Sequence, residues 1–275
     1  MSEVADRVVL VTGGASGIGR LVAERLAALG ARLVLWDVNQ EALDQVVPAV
    51  EACGRHTAHG YVCDVGRREY VYEMARRVRD EVGAVDILIN NAGIVSGQRF
   101  LDLPDSKIEA TFRINTLALF WTCKAFLPEM IARNRGHVLT MASASGYVGV
   151  ARLADYAASK WAAVGFDESL RMELRRLAPG VKTTVVCPYY IATGMFAGVK
   201  SRFTSLLPIL DPATVADRIV RALRRDQPRL VMPRLVGLLP LARSMPVPVF
   251  DAIADFLGVN TSMDDFVGRD SSRRG

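Results

Sequence analysis

Residues 12–19 read Thr-Gly-Gly-Ala-Ser-Gly-Ile-Gly, after an apolar run at 7–12 and before a segment, 20–27, whose apolar residues have helical spacing. Glycines allow a tight turn and a close approach of the backbone to a ligand. Free N–H groups at the start of a helix attract a pyrophosphate. The spacing G-x-x-x-G-x-G differs from the commoner G-x-G-x-x-G fingerprint. Alone, the turn is therefore compatible both with nucleotide binding and with a structural loop.

Apolar runs rich in Val, Leu and Ile recur along the chain, and most segments between them show helical spacing with caps. The runs lie at 7–12, 32–37, 57–63, 86–90, 136–142, 181–187 and 229–232. Continuous apolar strands separated by amphipathic helices indicate a sheet that is covered on both faces. The sequence therefore predicts an α/β protein, with a Rossmann-type doubly wound parallel sheet of about seven strands and right-handed crossovers.

Length and composition predict one domain, because 275 residues that are 51% apolar can bury one substantial core. After about residue 190 the composition changes to Pro, Met and apolar residues mixed with Arg. We expect residues 190–258 to form a substrate lid and C-terminal extension within the domain 1–275. The net charge is +5, but arginines are spread along the predicted helices and only Arg273 and Arg274 form a basic tail. We therefore expect no nucleic-acid partner.

The cysteines lie apart with no paired spacing, at Cys53, Cys63, Cys123 and Cys187. A chain of this size does not need disulfides, so we expect reduced thiols and a cytoplasmic protein. The segment 53–63 also contains His56 and His59, but it straddles a predicted helix end and a strand, so four ligands would not converge and no metal is expected. Residues 1–7 contain no apolar segment that would predict a signal peptide or an N-terminal anchor.

The end of the second strand favours NAD over NADP. Asp37 follows the strand 33–36 and lies eighteen residues after Gly19. A carboxylate at this point can accept the ribose hydroxyls and would repel a 2′-phosphate. Ser16, rather than a basic residue, occupies the turn. Arg20 is the one observation against a preference for NAD, because its positive charge could meet a phosphate. A solvated position on the helix is the simpler interpretation of Arg20.

Polar or flexible groups also follow the third and fourth strands. Asp64 ends one, and Asn90-Asn91-Ala92-Gly93 ends the other. Ligands bind at the carboxyl ends of strands in open α/β sheets. Each residue taken singly is better explained as a helix cap or a turn residue. Several strand ends in register indicate a binding crevice.

Tyr156 and Lys160 lie four residues apart, on one face of a predicted helix. A nearby cation favours the phenolate and makes a tyrosine usable for acid–base chemistry, although the same spacing occurs on many solvated helix faces. Ser143 stands just beyond the strand 136–141, where its hydroxyl would reach the same crevice. Asn115 lies inside an otherwise apolar helix, 112–120, where a buried amide needs partners.

These elements together resemble the short-chain dehydrogenase/reductase family across residues 7–195. The matching motifs, in order and spacing, are T-G-x-x-x-G-x-G, D-V, N-N-A-G, a single N, a single S and Y-x-x-x-K. The resemblance implies an oxidoreductase in which hydride passes between a substrate carbon and nicotinamide C4. It also implies the cofactor contacts Gly13, Ser16, Gly17, Ile18, Gly19, Asp37, Asp64, Val65, Asn91, Ala92, Gly93, Tyr156, Lys160, Pro188, Ile191 and Thr193.

The resemblance also implies a role for each catalytic residue. Tyr156 would exchange a proton with the substrate oxygen. Lys160 would lower the tyrosine's pKa and bind the nicotinamide ribose. Ser143 would orient the substrate oxygen, and Asn115 would hold a water that links Lys160 to solvent. Tyr189 stands where the family has a glycine, so the chain departs from the family's pattern at this turn beside the substrate pocket.

A closer resemblance is to the retinol dehydrogenase and lipid-droplet hydroxysteroid dehydrogenase branch, in stretches such as 35–39, 182–188, 193–196, 226–229 and 232–235. It implies a bulky apolar alcohol or its carbonyl, such as a retinoid, a steroid or a long-chain lipid. The helices that carry Asn115 and Tyr156 resemble those that pair subunits in the family, so a homodimer or homotetramer is expected.

The C-terminal segment 199–258 is apolar, but Arg234 and Arg243 interrupt it and no run is long enough to span a bilayer. We interpret it as a substrate lid and subunit-packing surface, or as an interfacial helix that collects lipid substrate from a membrane. Two other functions stay open. A nucleotide crevice alone is also compatible with a non-catalytic NAD-binding regulator. The apolar segment alone is compatible with a peripheral membrane scaffold.

Overall fold

The computed structural model describes residues 2–268, so Arg273 and Arg274 lie outside the described residues. Within this range, parallel strands form one seven-stranded sheet in the order β3-β2-β1-β4-β5-β6-β7. The strands are β1 (Val8–Thr12), β2 (Arg32–Asp37), β3 (His59–Val62), β4 (Ile87–Asn90), β5 (Gly136–Met141), β6 (Val181–Pro188) and β7 (Arg229–Met232). Strand order reverses between β1 and β4, which is the point where open α/β sheets bind ligands. The predicted fold class is confirmed.

Helices cover both faces of the sheet, because the strands carry apolar side chains on both faces and each face must be shielded from water. The helices are α1 (Gly17–Ala28), α2 (Gln40–Cys53), α3 (Arg68–Glu81), α4 (Asp105–Phe112), α5 (Ala118–Ala132), α6 (Ala154–Leu177), α7 (Pro212–Arg224), α8 (Leu239–Ala242) and α9 (Val247–Phe256). The core on one face contains residues of α1, α2 and α7. The core on the other contains residues of α3, α5 and α6.

The predicted continuous helix 112–120 is wrong in one respect. A π-helical turn, Arg113–Leu117, separates α4 from α5. Single π turns are rare and widen the helix locally. Asn115 lies in this turn, 1% exposed, and its amide bonds a neighbouring loop. The sequence pattern gave no sign of this widening because the apolar spacing continues through it.

The chain after β6 runs over the carboxyl ends of the strands before it returns to the sheet. Beyond β7, a 3₁₀ turn (Arg234–Leu238), α8 and α9 continue over the same end. Residues 259–268 then come back to this region, since the N–H groups of Val267 and Gly268 donate to Ala197 and that of Lys200 donates to Ser262. Among residues 2–268, no helix has the length and apolar character needed to cross a membrane, as predicted for the C-terminal segment.

Candidate active site

The glycine-rich turn joins β1 to α1 in a conformation that needs glycine. Gly13 and Gly17 have φ angles of +62° and +54°, in the region that side chains disfavour. A Cβ on Gly19 would lie 2.2 Å from the Gly13 carbonyl oxygen, so α1 can pack this closely on the turn only without a side chain. Because these three glycines carry no side chains, the first turn of α1 is left unobstructed at the carboxyl end of the sheet.

A cavity of about 470 Å³ lies at the carboxyl ends of the strands. The predicted cofactor contacts that line it are Gly13, Ser16, Ile18, Asp37, Asp64, Val65, Asn91, Ala92, Gly93, Tyr156, Lys160, Pro188, Ile191 and Thr193. Gly17 and Gly19 are not on its wall and shape the turn behind it. The volume is in the range of small-molecule and cofactor sites. The structure therefore brings the polar strand ends together around one crevice.

Two carboxylates are held by backbone N–H groups at this crevice. Asp37 accepts from the N–H of Ala15 at 3.0 Å, which ties the end of β2 to the glycine-rich turn. Asp64 accepts from the N–H of Gly66 at 2.9 Å. Arg20 faces outward and pairs with Glu24 at 2.7 Å, four residues along α1. The arginine is therefore a solvated helix residue in this structure.

Asn91 fastens the loop after β4 to the glycine-rich turn. Its side-chain amide donates to the carbonyls of Thr12 and Gly13, at 2.9 and 3.0 Å. The Thr12 hydroxyl accepts from the N–H groups of Asn91 and Ala92. These bonds consume the amide protons of Asn91, so its contribution to a ligand site is to fix the position of the loop.

Ser143, Tyr156 and Lys160 all line the cavity and are 7%, 5% and 4% exposed. Tyr156 is the third residue of α6, and Ser143 follows β5 with its hydroxyl accepting from the N–H of Ser145. Burial raises the pKa of Tyr156, and a hydrogen bond with Ser143 acts in the opposite direction. At neutral pH the phenol is therefore protonated and can donate its proton.

Lys160 is fastened to the end of β5. Its Nζ donates to the Met141 carbonyl at 2.8 Å and lies 5.6 Å from the centroid of the Tyr156 ring. Burial lowers the pKa of Lys160 to about 8. Burial of the phenol is the largest cause of the shift in the Tyr156 pKa in this structure, and the lowering by Lys160 that the resemblance implies stays a prediction.

Asn115 does not line the cavity and lies behind it. Its amide donates to the Ile94 carbonyl and the Ser159 hydroxyl, at 2.9 and 3.0 Å, and its oxygen accepts from the Ile94 N–H. Ser159 in turn donates to the carbonyl of Tyr156 at 2.7 Å. Both side-chain N–H groups of Asn115 already donate to protein atoms. A water molecule bound to Asn115 would therefore have to donate to one of the carbonyl oxygens of this residue. The buried amide has the partners that the sequence required.

Asp155, the chain neighbour of Tyr156, is a buried carboxylate behind the cavity wall that the sequence analysis missed. It is 5% exposed, and its two oxygens accept from the hydroxyls of Ser96 and Thr111, each at 2.8 Å. The three residues belong to the first turn of α6, the loop after β4 and the end of α4. A carboxylate beside Tyr156 in an apolar surrounding was the signal available in the sequence, since such a group needs partners when buried.

Aromatic side chains form the wall beside Tyr156. Phe196 meets its ring edge-on at 5.7 Å and meets Tyr190 at 5.1 Å, while Tyr189 packs on Tyr190 at 4.6 Å. The N–H of Tyr189 donates to the Met232 carbonyl at 2.7 Å, so the turn after β6 is pinned to β7. The tyrosine that replaces the family's glycine therefore lines the cavity.

The far wall of the cavity carries no polar side chain in its C-terminal part. It consists of Leu235, Val236, Leu238, Leu239, Ala242, Phe250, Ile253, Ala254, Leu257 and Val259. These residues come from β7's following turn, α8, α9 and the loop after α9. The polar side chains of the lining lie instead in the glycine-rich turn, at the carboxyl ends of β2 to β6 and on α6. A ligand that fills this space is polar at one end and apolar at the other.

The histidines and cysteines of the segment 53–63 are dispersed. His56 bonds Asp6 at 2.9 Å, and the thiol of Cys53 donates to the carbonyl of Ala49. Within residues 2–268, no three His, Cys, Asp or Glu side chains are grouped to hold a metal ion. All four cysteines are free thiols, and only Cys53 is exposed.

Comparison with known proteins assigns the family. The family model described as short chain dehydrogenase matches residues 7–202. The chain belongs to the short-chain dehydrogenase/reductase family. Epidermal retinol dehydrogenase 2 of Mus musculus is 47% identical over 269 residues, which cover 97% of this chain and 87% of that protein. Retinol dehydrogenase 10 of Homo sapiens is 40% identical, with 97% and 86% covered. These relatives support the retinol dehydrogenase branch.

Two solved structures of the family share the fold. A short-chain dehydrogenase/reductase from Burkholderia phymatum in complex with NAD has a TM-score of 0.79 and 25% identity, covering 89% of this chain and 95% of its own. A metagenomic short-chain oxidoreductase in complex with NADP has a TM-score of 0.70 and 30% identity, with 84% and 98% covered. This short-chain dehydrogenase/reductase is thus an oxidoreductase of a family whose members hold either dinucleotide.

Proposed function

We propose that this enzyme transfers hydride between NAD(H) and a hydrophobic alcohol or its carbonyl, of retinoid, steroid or lipid-like form. The observation that carries the proposal is the two-ended cavity. Ser143, Tyr156 and Lys160 lie at its polar end, and the opposite wall is built from side chains of the C-terminal segment that have no polar atoms. A substrate with one reactive oxygen and a large apolar body matches both ends.

The residues of the cofactor half fit a dinucleotide. The glycine-rich turn offers backbone N–H groups and the N-terminus of α1 to a pyrophosphate, and a side chain on Gly19 would collide with the turn. Asp37 and Asp64 line the cavity beside the turn, where they can accept hydrogen bonds from an adenosine. When bound, the nicotinamide supplies the hydride chemistry.

Tyr156 moves the substrate proton in this proposal. In reduction its neutral phenol donates to the carbonyl oxygen, and in oxidation its oxygen accepts the hydroxyl proton. Ser143 holds the same substrate oxygen through its hydroxyl. Lys160 places a cation beside Tyr156. This charge favours the phenolate form of Tyr156 during oxidation, and the ammonium can also donate hydrogen bonds to ribose hydroxyls. Asn115 acts from behind, through Ser159 and the Tyr156 carbonyl.

NAD is the proposed cofactor rather than NADP. Support comes from Asp37, whose carboxylate is fixed at the end of β2 beside the glycine-rich turn and would repel a 2′-phosphate, and from Arg20, whose charge is already paired with Glu24. We expect a lower KM for NAD⁺ than for NADP⁺, and Asp37→Ser should reduce that preference. A wild-type preference for NADP⁺ would contradict this part of the proposal.

The experiment that tests the proposal is NADH formation with a panel of alcohols of increasing apolar size. We expect kcat/KM to rise from short alcohols to retinoid-, steroid- or lipid-sized ones. Cofactor binding without turnover of any alcohol or carbonyl would instead favour a non-catalytic NAD-binding regulator.

We also propose a homodimer or homotetramer that pairs through α5 and α6. In a single chain these helices leave Phe120 and Trp161 about four-tenths exposed, and Leu117 at the start of α5 is exposed to the same extent. Large apolar groups left in solvent on adjoining elements are typical of an interface. The free thiols support a cytoplasmic location. Phe120→Asp should lower the mass measured by sedimentation; an unchanged mass would place the interface elsewhere.

A further inference from the structure

The cavity opens among apolar side chains that the fold leaves exposed. Leu238 and Ile253 line the cavity and yet expose 56% and 41% of their surface, so they lie at its mouth. Neighbouring residues of the same segment are also exposed, and together they form what we call the mouth face: Leu238, Leu241, Val247, Val249, Ile253 and Phe256. A surface of this kind is typical of a site that contacts a protein or a membrane.

Helix α9 separates its apolar and acidic residues. Val249, Ile253 and Phe256 are spaced four and three residues apart and share one side of the helix. Asp251 and Asp255 are four residues apart and share another side, well over a quarter-turn away. Val247, at the start of α9, lies four residues before Asp251 and shares its side, so the carboxylates leave uninterrupted only the part of the mouth face formed by Val249, Ile253 and Phe256.

Arginines border the mouth face. The Arg202 guanidinium lies 5.4 Å from the Phe256 ring centroid, and that of Arg243 lies 5.9 Å from Phe250. Arg234 begins the 3₁₀ turn that ends at Leu238. Long cationic side chains beside apolar ones are arranged like those of interfacial membrane segments, whose charged ends reach the headgroups.

The positive charge continues from Arg234 onto α7. Burial lowers the pKa of Arg218 on α7, and the like charges of Arg234 and Arg221 lower it further. Across residues 2–268, these three arginines, together with Arg202 and Arg243, make no ion pair with a carboxylate. Arg221 lies farther along α7, near Leu29 at the end of α1, so the border of the mouth face consists of Arg202, Arg234 and Arg243. An unpaired cationic border of this kind complements an anionic surface.

We propose that the mouth face docks on an anionic phospholipid membrane, so that the substrate passes from the lipid directly into the cavity. A rigid protein seated here would cover Leu238 and Ile253 and close the entrance, whereas a fluid bilayer leaves an apolar path through it. The delivery of substrate rests on the proposed hydrophobic alcohol; the docking itself does not.

The test is co-sedimentation of the full chain with vesicles of phosphatidylcholine alone and of phosphatidylcholine with phosphatidylserine. Wild type binds the anionic vesicles about tenfold or more tightly than the neutral ones, and added salt reduces the difference. Leu241→Ser with Val247→Ser lowers binding to both vesicles. The matched control, Met172→Ser with Leu177→Ser, removes exposed apolar groups of α6 and leaves binding unchanged.

A second pair of variants tests the charge. Arg202→Glu with Arg234→Glu lowers binding to anionic vesicles about tenfold or more, while Arg76→Glu with Arg176→Glu, which changes net charge equally, has a much smaller effect. All variants keep wild-type turnover of a short water-soluble alcohol, because none of the substituted residues touches the polar end of the cavity.

Two results would overturn the docking proposal. One is an absence of wild-type binding to either vesicle. The other concerns Leu241→Ser with Val247→Ser. If this variant changes the sedimenting mass but not the vesicle binding, the mouth face is a contact between copies of this chain. Vesicle binding by a protein that turns over no alcohol would reject the proposed function and leave the docking proposal standing.

Discussion

Lys160 Nζ donates a hydrogen bond to the backbone carbonyl of Met141 across 2.8 Å. This bond joins the second turn of α6 to the last residue of β5, two residues before Ser143. The ammonium and the phenol of Tyr156 are thereby fixed by α6 relative to the end of β5, and Ser143 follows that strand end by two residues. Precision of this kind is what a proton-transfer site needs.

Removing the Lys160 charge should impair turnover more than folding. Lys160→Met keeps the aliphatic stem but removes the cation, and we expect kcat to fall by about 10²-fold or more. Thermal stability should be unchanged or slightly higher, because a buried ammonium is expensive. Lys124→Met, on the exposed side of α5, is the control. Wild-type kcat in Lys160→Met would remove Lys160 from the proposed mechanism.

The two reaction directions should respond oppositely to pH. Burial raises the pKa of Tyr156, so the phenol is protonated at neutral pH and ready to donate in reduction. Oxidation needs the deprotonated oxygen, so its kcat should rise between pH 6 and pH 9, by up to about tenfold per pH unit. Carbonyl reduction should be level at neutral pH and fall at alkaline pH. Oxidation that slows as pH rises from 6 to 8 would contradict this assignment.

Asp155 should act as a positioning residue for Tyr156. Asp155→Ala removes both bonds that tie α6 to Ser96 and Thr111, and we expect a loss of roughly 2–4 kcal/mol of stability. Below its melting temperature, the variant should lose kcat with little change in KM for the alcohol. Asp155→Asn keeps an acceptor and should recover part of kcat.

The control for Asp155 is Asp105→Ala, which removes an exposed acid from the first turn of α4. It should leave kcat and stability near wild type. If Asp155→Ala is destabilised but keeps full kcat when folded, the carboxylate serves the fold alone.

Asp167 should make stability depend on pH. Burial raises the pKa of this carboxyl to about 7, and one of its oxygens has no hydrogen-bond partner among residues 2–268. The unfolded carboxyl titrates near pH 3.9. The folded state therefore binds more protons between these two values, and this contribution to stability is present at low pH and lost as pH rises from about 4 to about 7.

Asp167→Asn should remove that loss. Relative to wild type, the variant should gain roughly 1–3 kcal/mol on moving from pH 4 to pH 8, measured by denaturant unfolding. Glu173→Gln, an exposed acid on the same helix, should show no such gain. If the free energy of unfolding of Asp167→Asn differs from that of wild type by the same amount at pH 4 and at pH 8, Asp167 keeps an ordinary pKa.

The seven strands and the glycine-rich turn could be predicted from sequence because local patterns determine them. A buried parallel strand needs an unbroken apolar run, and the turn at 12–19 needs glycine at Gly13 and Gly17, which have positive φ. The predicted strand ends agree with the structure within two residues at each end. Tyr156 and Lys160 could be paired for the same reason, since helical spacing places them together.

Contacts between distant segments could not be predicted in this way. The bonds of Asp155 to Ser96 and Thr111 span 59 and 44 residues. Burial raises the pKa of Tyr156, and its ring packs against Phe196 from the segment after β6, a contact that the local spacing to Lys160 does not reveal. The π turn at Asn115 leaves the apolar pattern unchanged. Such features are set by tertiary packing rather than by local sequence.

The central claim is that Tyr156 transfers the substrate proton in this cavity, and Tyr156→Phe with a lipophilic alcohol tests it most directly. The change removes one oxygen atom and keeps the ring that packs against Phe196. We predict that NADH formation falls by about 10²–10⁴-fold while NAD binding, measured by calorimetry, stays within a few-fold of wild type. Wild-type NADH formation by Tyr156→Phe would contradict the account.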